Sequence, residues 1–287
     1  MKRHPRYYHW QIAYKLKSED TYHLIPNPKY AWAADPFLVE FKGHIYLFAE
    51  LFLYKSERNG VIGYCEYTEG GFSDWKISMD EHWHLSYPNV FVKDGKLLMC
   101  PETYQKNEVS IYELVDFPNN WKLVKTIINN KKLVDTTFLS IDDENYMFSF
   151  EPTFKGDNGR LVIYKTDEND RVIEGKVITD DRLVARPAGN FINKDGKLYR
   201  VCQISENSYG EGINITEVES VWPEYKEKIV KTIYPSDIKI DSSIKFEGIH
   251  TYNSLGDIEV IDLKFYNPSL TEYFASRRTK KVFTNKY

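Results

Sequence analysis

Cysteine, net charge and long apolar runs are all scarce in this chain of 287 residues. The three cysteines, Cys65, Cys100 and Cys202, are too few and too widely spaced for a disulfide framework or a paired-cysteine metal site. A formal net charge of −4 indicates no basic face of the kind that binds nucleic acid, so we expect no nucleic-acid partner. Because no apolar run approaches the roughly 20 residues of a membrane-spanning helix, we also expect no transmembrane segment.

Targeting and metal-binding signals are scarce as well. The N-terminus carries charge without the apolar segment or small-residue cleavage site of a secretory signal, which predicts a cytoplasmic protein. The basic stretch 277–281 predicts a solvated tail, with polyanion binding as the alternative. His82 and His84 alternate as on one face of a strand but lack a third ligand, so we predict neither a metal site nor a cofactor.

Aromatic residues, in contrast, make up 15% of the chain, and they favour strands over helices. A hairpin pattern also recurs, in which an apolar strand, a tight turn rich in glycine and aspartate, and a second apolar strand follow one another. The five copies are 48 to 60 residues apart and begin near Asp35, Tyr87, Asp135, Ala188 and Gly248.

Strand units repeated at this period are the signature of a β-propeller. We therefore predict an all-β, five-bladed β-propeller that forms one domain over residues 1–287, with the first strand of each hairpin lining the central channel. Residues 10–16 are expected to complete the last blade, because closed architectures leave no exposed edge. Residues 217–227 are the only modest helical candidate.

The hairpins also predict where polar side chains meet. In an antiparallel hairpin the start of the first strand and the end of the second lie at the same end, so both contribute to one mouth of the channel. Paired carboxylates are what glycosyl chemistry uses, one to transfer a proton and one to stabilise or attack the anomeric carbon. The carboxylates gathered at this mouth, which we predict as catalytic, are Asp35, Asp135, Glu102 and Glu151.

Aromatic, cationic and amide side chains near the same mouth are suited to binding sugars. The predicted substrate-binding residues are Arg186, His250, Tyr87, His84, Glu50, Trp32, Tyr252 and Asn190. We expect Asp35 to be the essential carboxylate and Arg186 its cationic partner, and the candidates for binding a donor phosphate are Arg186, Arg200 and Arg160.

These residues also have structural explanations. Asp35 before Pro36 is a good strand starter. Glutamates at equivalent blade positions can bind neighbouring backbone amides, and Arg186 can pair with an acid in the core.

A series of motifs resembles one family. In chain order the motifs are WAADPF (32–37), WHLSYPNVF (83–91), LVDTTF (133–138), ARPAGN (185–190) and GIH (248–250). Together they resemble the N-terminal domain of plant glucosamine inositolphosphorylceramide transferases and its stand-alone bacterial relatives, over roughly residues 30–255. That domain is similar to the five-bladed propellers of family 43, 32 and 68 glycoside hydrolases and transferases, so the resemblance implies a carbohydrate-active channel.

The chain departs from the family 43 pattern at one position. In that pattern three carboxylates start the first strands of the first three blades; Asp35 and Asp135 fit the first and third, but the second is Tyr87. A hydrolase of this type would have to recruit Glu102 or Glu151 from a second strand.

Three functions therefore stay open: glycosyl transfer in surface polysaccharide or glycolipid synthesis, family 43-like hydrolysis, and non-catalytic glycan binding or scaffolding. We favour transfer, with a carbohydrate or sugar-nucleotide substrate and association with polysaccharide-synthesis enzymes.

Overall fold

The structure, a computed structural model, describes residues 8–56, 60–153 and 158–267, so the basic stretch 277–281 lies outside the described residues. Strands dominate these residues and pair into five antiparallel sheets. The exceptions among the regular elements of the described residues are two short 3-10 helices, Tyr104–Lys106 and Pro235–Asp237. No helix within the described ranges is both long enough and apolar enough to cross a membrane.

The sheets follow one another along the chain as blades. The chain begins with two strands of the last blade: β1 (Tyr8–Leu16) and β2 (His23–Leu24). The first blade contains β3 (Ala31–Phe41), β4 (His44–Leu53), β5 (Gly60–Thr68), β6 (Gly71–Phe72) and β7 (Lys76–Met79). The second contains β8 (Ser86–Lys93), β9 (Lys96–Glu102), β10 (Val109–Asp116) and β11 (Asn120–Ile128).

The remaining three blades complete the ring. The third contains β12 (Val134–Ile141), β13 (Glu144–Pro152), β14 (Gly159–Thr166) and β15 (Val172–Thr179). The fourth contains β16 (Arg186–Pro187), β17 (Ile192–Lys194), β18 (Lys197–Ile204), β19 (Gly212–Ser220) and β20 (Lys226–Ile233). The fifth adds β21 (Phe246–Gly248), β22 (Tyr252–Leu255) and β23 (Ile258–Tyr266) to β1 and β2. The predicted five-bladed β-propeller is confirmed.

The N-terminal strand closes the ring, as expected for residues 10–16. Strand β1 pairs with β23 over its whole length, from Tyr8 opposite Tyr266 to Leu16 opposite Ile258. The edge of the last blade is thereby covered by the start of the chain.

The one modest helical candidate, residues 217–227, is not a helix. These residues form the end of β19, a turn, and the beginning of β20, with Glu217 paired opposite Lys228. Pro223 lies in the turn, where its missing N–H costs no strand pairing; inside a helix it would have removed a hydrogen bond.

Hydrogen bonds between side chains and backbone tie the blades together inside the channel. The Asn253 side chain donates to the carbonyl of Pro36 (2.6 Å) and accepts from the backbone N–H of Asn190 (2.7 Å). The Asn89 side chain donates to the side-chain oxygen of Asn190 (2.7 Å). Four of the five blades are therefore linked by three asparagines, which fixes the strands that carry the site.

Candidate active site at one end of the channel

The first strands of the first three blades carry the same irregularity. In β3, β8 and β12 one extra residue interrupts the pairing with the next strand. Asp35, Tyr87 and Asp135 lie at these bulges, with φ values of 54°, 41° and 52°. A bulge re-aims the side chain and ends regular pairing, so the repeat brings three residues from different blades to equivalent positions around the channel.

Asp35 is held by groups from two other blades. Its Oδ2 accepts a hydrogen bond from the backbone N–H of Tyr87 (3.1 Å), and its Oδ1 accepts one from the hydroxyl of Thr251 (3.1 Å). The side chain is buried, and burial raises the pKa of Asp35 to about 6, opposed by nearby His250 and reinforced by Asp262 and Asp135. Asp35 therefore changes its charge close to neutral pH.

Asp262 and His250 form an ion pair beneath Asp35. The imidazole Nδ1 lies 2.6 Å from Oδ2 of Asp262, and its Nε2 lies 3.6 Å from Oδ1 of Asp35. Burial alone lowers the pKa of His250, but the two carboxylates outweigh it, so the net pKa is raised and favours the imidazolium. The ring also stacks on Trp10, with centroids 3.8 Å apart. The cation beside Asp35 is thus His250.

Arg186 pairs with Asp135 rather than with Asp35, in contrast to our expectation. Its Nε donates a short hydrogen bond to Oδ2 of Asp135, and its guanidinium lies 4.9 Å from the ring centre of Tyr209. Glu102 is hydrogen-bonded to Asp135 as well. Burial and then the Asp135 charge raise the pKa of Glu102 well above its usual range, which favours Glu102 as the proton donor in this bond.

Glu50 lies against His84 at the same end of the channel. The backbone N–H of Gly60 donates to Nδ1 of His84 (3.1 Å), so the neutral ring carries its proton on Nε2, which faces Oε1 of Glu50 at 3.5 Å. Burial lowers the pKa of His84 to about 4. Burial, followed by the charges of Asp35 and Glu102, raises the pKa of Glu50 well above its usual range. Burial therefore favours the neutral form of both side chains.

Glu151 does not join the other carboxylates. Glu50 and Glu102 lie opposite Ala34 and Ser86, whereas the residue opposite Val134 in the third blade is Phe150. Because side chains alternate along a strand, the next residue, Glu151, faces the other way. It forms ion pairs with Arg160 (2.7 Å) and Lys131 (3.2 Å).

Three predicted binding residues have structural contacts. The Tyr87 hydroxyl accepts from the backbone N–H of Gly189 (2.8 Å) and bonds to Thr137 (2.9 Å), inside the channel. Asn190 belongs to the asparagine network described above. Tyr252 is hydrogen-bonded to Ser254 and Glu259 and not to any of the predicted catalytic carboxylates.

Aromatic residues surround the carboxylates at the mouth. Trp32 stacks in parallel on Phe52, with centroids 4.5 Å apart, and shares an apolar cluster with Trp10 and Tyr209. Sequence reasoning missed Tyr209, which lies in a loop, and Asp262. The signal for Asp262 was an acid directly flanked by the apolar residues Ile261 and Leu263 in strand β23.

One oxygen or nitrogen atom from each of Asp35, His250 and Asp262 lie within 4.8 Å of one another, a spacing that can hold a metal ion. Both oxygens of Asp262 already accept hydrogen bonds, from the backbone N–H groups of Asp35 (3.0 Å), His250 (3.0 Å) and Thr251 (2.9 Å). The carboxylate of Asp262 is thus already engaged by donors of the protein itself.

Two of the arginines predicted to bind phosphate are already paired. Arg160 binds Glu151. Arg200 is fully buried in the fourth blade, where it donates to Glu227, Tyr225 and the carbonyl of Val184. Only Arg186 of the three belongs to the carboxylate cluster.

The sequence matches one family over most of its length. The family described as "Glucosamine inositolphosphorylceramide transferase 1, N-terminal" covers residues 22–253. The glucosamine inositolphosphorylceramide transferase 1 of Arabidopsis thaliana is 33% identical over 211 residues, which are 68% of this chain and 26% of the plant protein. The protein of the same name from Oryza sativa subsp. japonica is 31% identical over 207 residues, 68% of this chain and 27% of that protein. The chain thus spans about a quarter of the length of these curated relatives.

Solved structures share the fold at low sequence identity. The α-L-arabinofuranosidase of Podospora anserina, solved with cellotriose, has a TM-score of 0.62 at 10% identity, covering 90% of this chain and 98% of that one. A GH43 β-xylosidase/α-arabinofuranosidase from a compost microbial metagenome, solved with xylotriose, has a TM-score of 0.60 at 13% identity, covering 82% and 86%.

Proposed function

We propose, from the premise that this chain belongs to the family of glucosamine inositolphosphorylceramide transferase N-terminal domains, that it is a carbohydrate-active propeller. We further propose that it transfers a glycosyl unit in surface polysaccharide or glycolipid synthesis. The relatives are named as transferases, and the propellers of similar fold are named as enzymes that act on sugars. A cytoplasmic location and association with polysaccharide-synthesis enzymes are parts of the same proposal.

The observation that carries the proposal is a set of buried carboxyl groups with different protonation. The pKa of Asp35 is raised to about 6 by burial, whereas burial raises the pKa of Glu50 and of Glu102 well above the usual glutamate range and so favours their protonated forms. Titratable groups whose environments push their pKa values apart are suited to acid and base roles in one site. The arrangement therefore offers a carboxylate and proton donors around one mouth.

In glycosyl transfer Asp35 would act as the base. Its carboxylate accepts the proton of the attacking acceptor hydroxyl while that oxygen bonds to the anomeric carbon, and the bond to the leaving phosphate breaks. The Arg186 guanidinium stabilises the negative charge of the departing phosphate.

Hydrolysis is the second candidate, favoured by the hydrogen bond of Glu102 to Asp135. Because Tyr87 occupies the bulge of the second blade, Glu102 is the acid of that blade nearest to the other carboxylates. In this reaction the Glu102 carboxyl protonates the leaving sugar oxygen, while Asp35 activates water or attacks the anomeric carbon.

One experiment separates the three functions. The purified chain is incubated with labelled sugar nucleotides plus oligosaccharide or glycolipid acceptors, with aryl glycosides, and with immobilised glycans. A labelled acceptor supports transfer, and a free sugar from the aryl glycosides supports hydrolysis. Glycan binding with no turnover of any substrate would contradict both enzymatic proposals. For either reaction Asp35→Asn is the test variant and Glu151→Gln the matched control, because Glu151 pairs with Arg160 and Lys131 and faces away from the other carboxylates.

A further inference from the structure

A narrow crevice between the third and fourth blades opens beside Arg186. It is lined by Phe150, Gly159, Arg182, Ala185, Arg186 and Ser205. The cavity volume of about 10 Å³ gives room for one water-sized group at its floor. Arg182 is exposed at its rim. A ligand that uses this crevice therefore places a single atom group in it and keeps the rest outside.

The Arg186 guanidinium is fixed in place, but only part of its hydrogen-bonding capacity is used. Its Nε binds Asp135, and the ring centres of Phe150 and Tyr209 lie 5.3 and 4.9 Å from its central carbon. Within the described residues, neither terminal NH2 group of Arg186 has a hydrogen-bond partner. The side chain is 16% exposed, so these donors are reachable from the mouth.

Arg182 and Ser205 add donors at the same place. The backbone carbonyl of Arg182 accepts from the N–H of Ser205 (3.0 Å), which fixes the two residues next to each other. The guanidinium of Arg182 makes no ion pair or hydrogen bond with any residue that the structure describes. Ser205 is buried, and because its oxygen accepts from the side chain of Gln203 (2.9 Å), its own proton is free to be donated.

The crevice thus presents more free donors than acceptors, since the only acceptor among these three side chains is the Ser205 oxygen, which already accepts from Gln203. A sugar hydroxyl donates as well as accepts and cannot use several donors at once, whereas a phosphate group offers several oxygens that only accept. Planar guanidinium groups match the geometry of phosphate oxygens, and such charge-assisted bonds are stronger than neutral ones. Because Arg186 is nearly buried and Arg182 is exposed, the two arginines can bind different oxygens of one phosphate group.

We propose that Arg182, Arg186 and Ser205 form a binding subsite for a phosphate ester of the substrate, adjacent to the carboxylate cluster. One phosphate oxygen occupies the crevice between Arg186 and Ser205, and the exposed Arg182 binds another. The position of this subsite beside the reacting groups rests on the proposed function. The ester is either the diphosphate of a sugar nucleotide or the phosphodiester of a lipid headgroup.

Isothermal titration calorimetry of the full chain at low salt tests the subsite. The probes are uridine diphosphate, inorganic pyrophosphate, inositol 1-phosphate and glucuronate. We expect Arg182→Gln to weaken phosphate binding about tenfold and Ser205→Ala to weaken it less, as for the loss of a charged and a neutral donor. Tighter binding of uridine diphosphate indicates the nucleotide as the source, and tighter binding of inositol 1-phosphate indicates the headgroup.

Arg171→Gln is the matched control, since it makes the same charge change in the turn at the other end of the third blade. Three results would overturn the subsite: no binding of any phosphate probe, equal weakening by Arg182→Gln and Arg171→Gln, or glucuronate binding as tightly as the phosphates. Turnover that survives such a result leaves the proposed function standing. Phosphate binding that depends on Arg182 in a chain without turnover supports the subsite and contradicts the enzyme.

Discussion

The backbone N–H of Tyr87 donates to Oδ2 of Asp35 over 3.1 Å, from one blade to the next. Both residues lie at the bulge of their first strand, with positive φ. Tyr87 therefore acts on Asp35 through its backbone, while its hydroxyl serves a different purpose by bonding to the backbone of the fourth blade.

This division predicts a structural effect for Tyr87→Phe. The variant leaves the backbone N–H of Gly189 buried without its 2.8 Å partner, which costs about 1–3 kcal/mol of the free energy of unfolding. Catalysis by Asp35 should persist, because the N–H that binds it is unchanged. Urea denaturation measures the effect, with Tyr30→Phe as the control, since Tyr30 is 43% exposed. Equal stability of both variants would contradict this assignment.

Gly60 is predicted to be intolerant of a side chain. A Cβ atom there would lie 2.4 Å from the carbonyl oxygen of Leu85 and 2.6 Å from the His84 ring. We expect Gly60→Ala to displace His84 from Glu50 and to lower the free energy of unfolding by about 1–3 kcal/mol. Gly70→Ala is the control, because a Cβ at Gly70 meets nothing within 4 Å. A Gly60→Ala protein as stable as Gly70→Ala would show that His84 has room to move.

The raised pKa of Glu50 predicts how the free energy of unfolding depends on pH. Because burial raises its pKa, the folded chain keeps this proton at pH values where the unfolded chain has lost it. The folded state then binds more protons, so the free energy of unfolding falls as pH rises from the ordinary glutamate pKa to the raised one. Glutamine cannot release a proton, so Glu50→Gln should be more stable than the parent above neutral pH and should flatten this decline.

Denaturation curves between pH 5 and pH 9 test this sign. Glu151→Gln is the control: burial opposes ionisation of Glu151, but Arg160 and Lys131 outweigh it and lower its pKa. The stability that these ion pairs add is present above the ordinary glutamate pKa and is lost as pH falls through the lowered pKa. The contribution is small, because Arg160 and Lys131 are partly exposed. If the free energy of unfolding declines identically with pH in the parent and in Glu50→Gln, then folding does not raise the pKa of Glu50.

The strand repeat made the fold predictable, and the same repeat located most of the cluster. Turns with two positive φ values, such as Lys42–Gly43 and Asp94–Gly95, are readable from sequence because few residues tolerate them. The equivalent positions of Glu50 and Glu102 at the ends of their strands follow from counting residues after these turns. The count fails for Glu151 because a shift of one residue moves a side chain to the opposite face.

Other parts of the site depend on contacts that no local pattern encodes. Asp262 of β23 pairs with His250, which lies in the segment between β21 and β22, and Tyr209 reaches the mouth from a loop. The partner of Arg186 could not be predicted either, because Asp35 and Asp135 occupy equivalent bulges in different blades. Only the three-dimensional arrangement distinguishes the one beside His250 from the one beside Arg186.

The pKa of Asp35 predicts the acid limb of the pH–rate profile. A base with a pKa of about 6 is protonated below that value, so turnover should rise as pH increases through about 6. The measurement is kcat/KM against pH, with the substrate that the turnover assay under Proposed function identifies. A rate independent of pH between 5 and 7 would contradict a basic role for Asp35.

The Asp35→Asn variant tests the central claim most directly. Asparagine keeps the shape, and its oxygen can still accept from the Tyr87 N–H, while the charge is removed. General base catalysis contributes about 10²–10⁴-fold, so the account predicts at most about a hundredth of the parent turnover with a melting temperature little changed. Undiminished turnover in folded Asp35→Asn protein, or a loss that accompanies a large drop in melting temperature, would contradict the account and leave Asp35 as a structural residue.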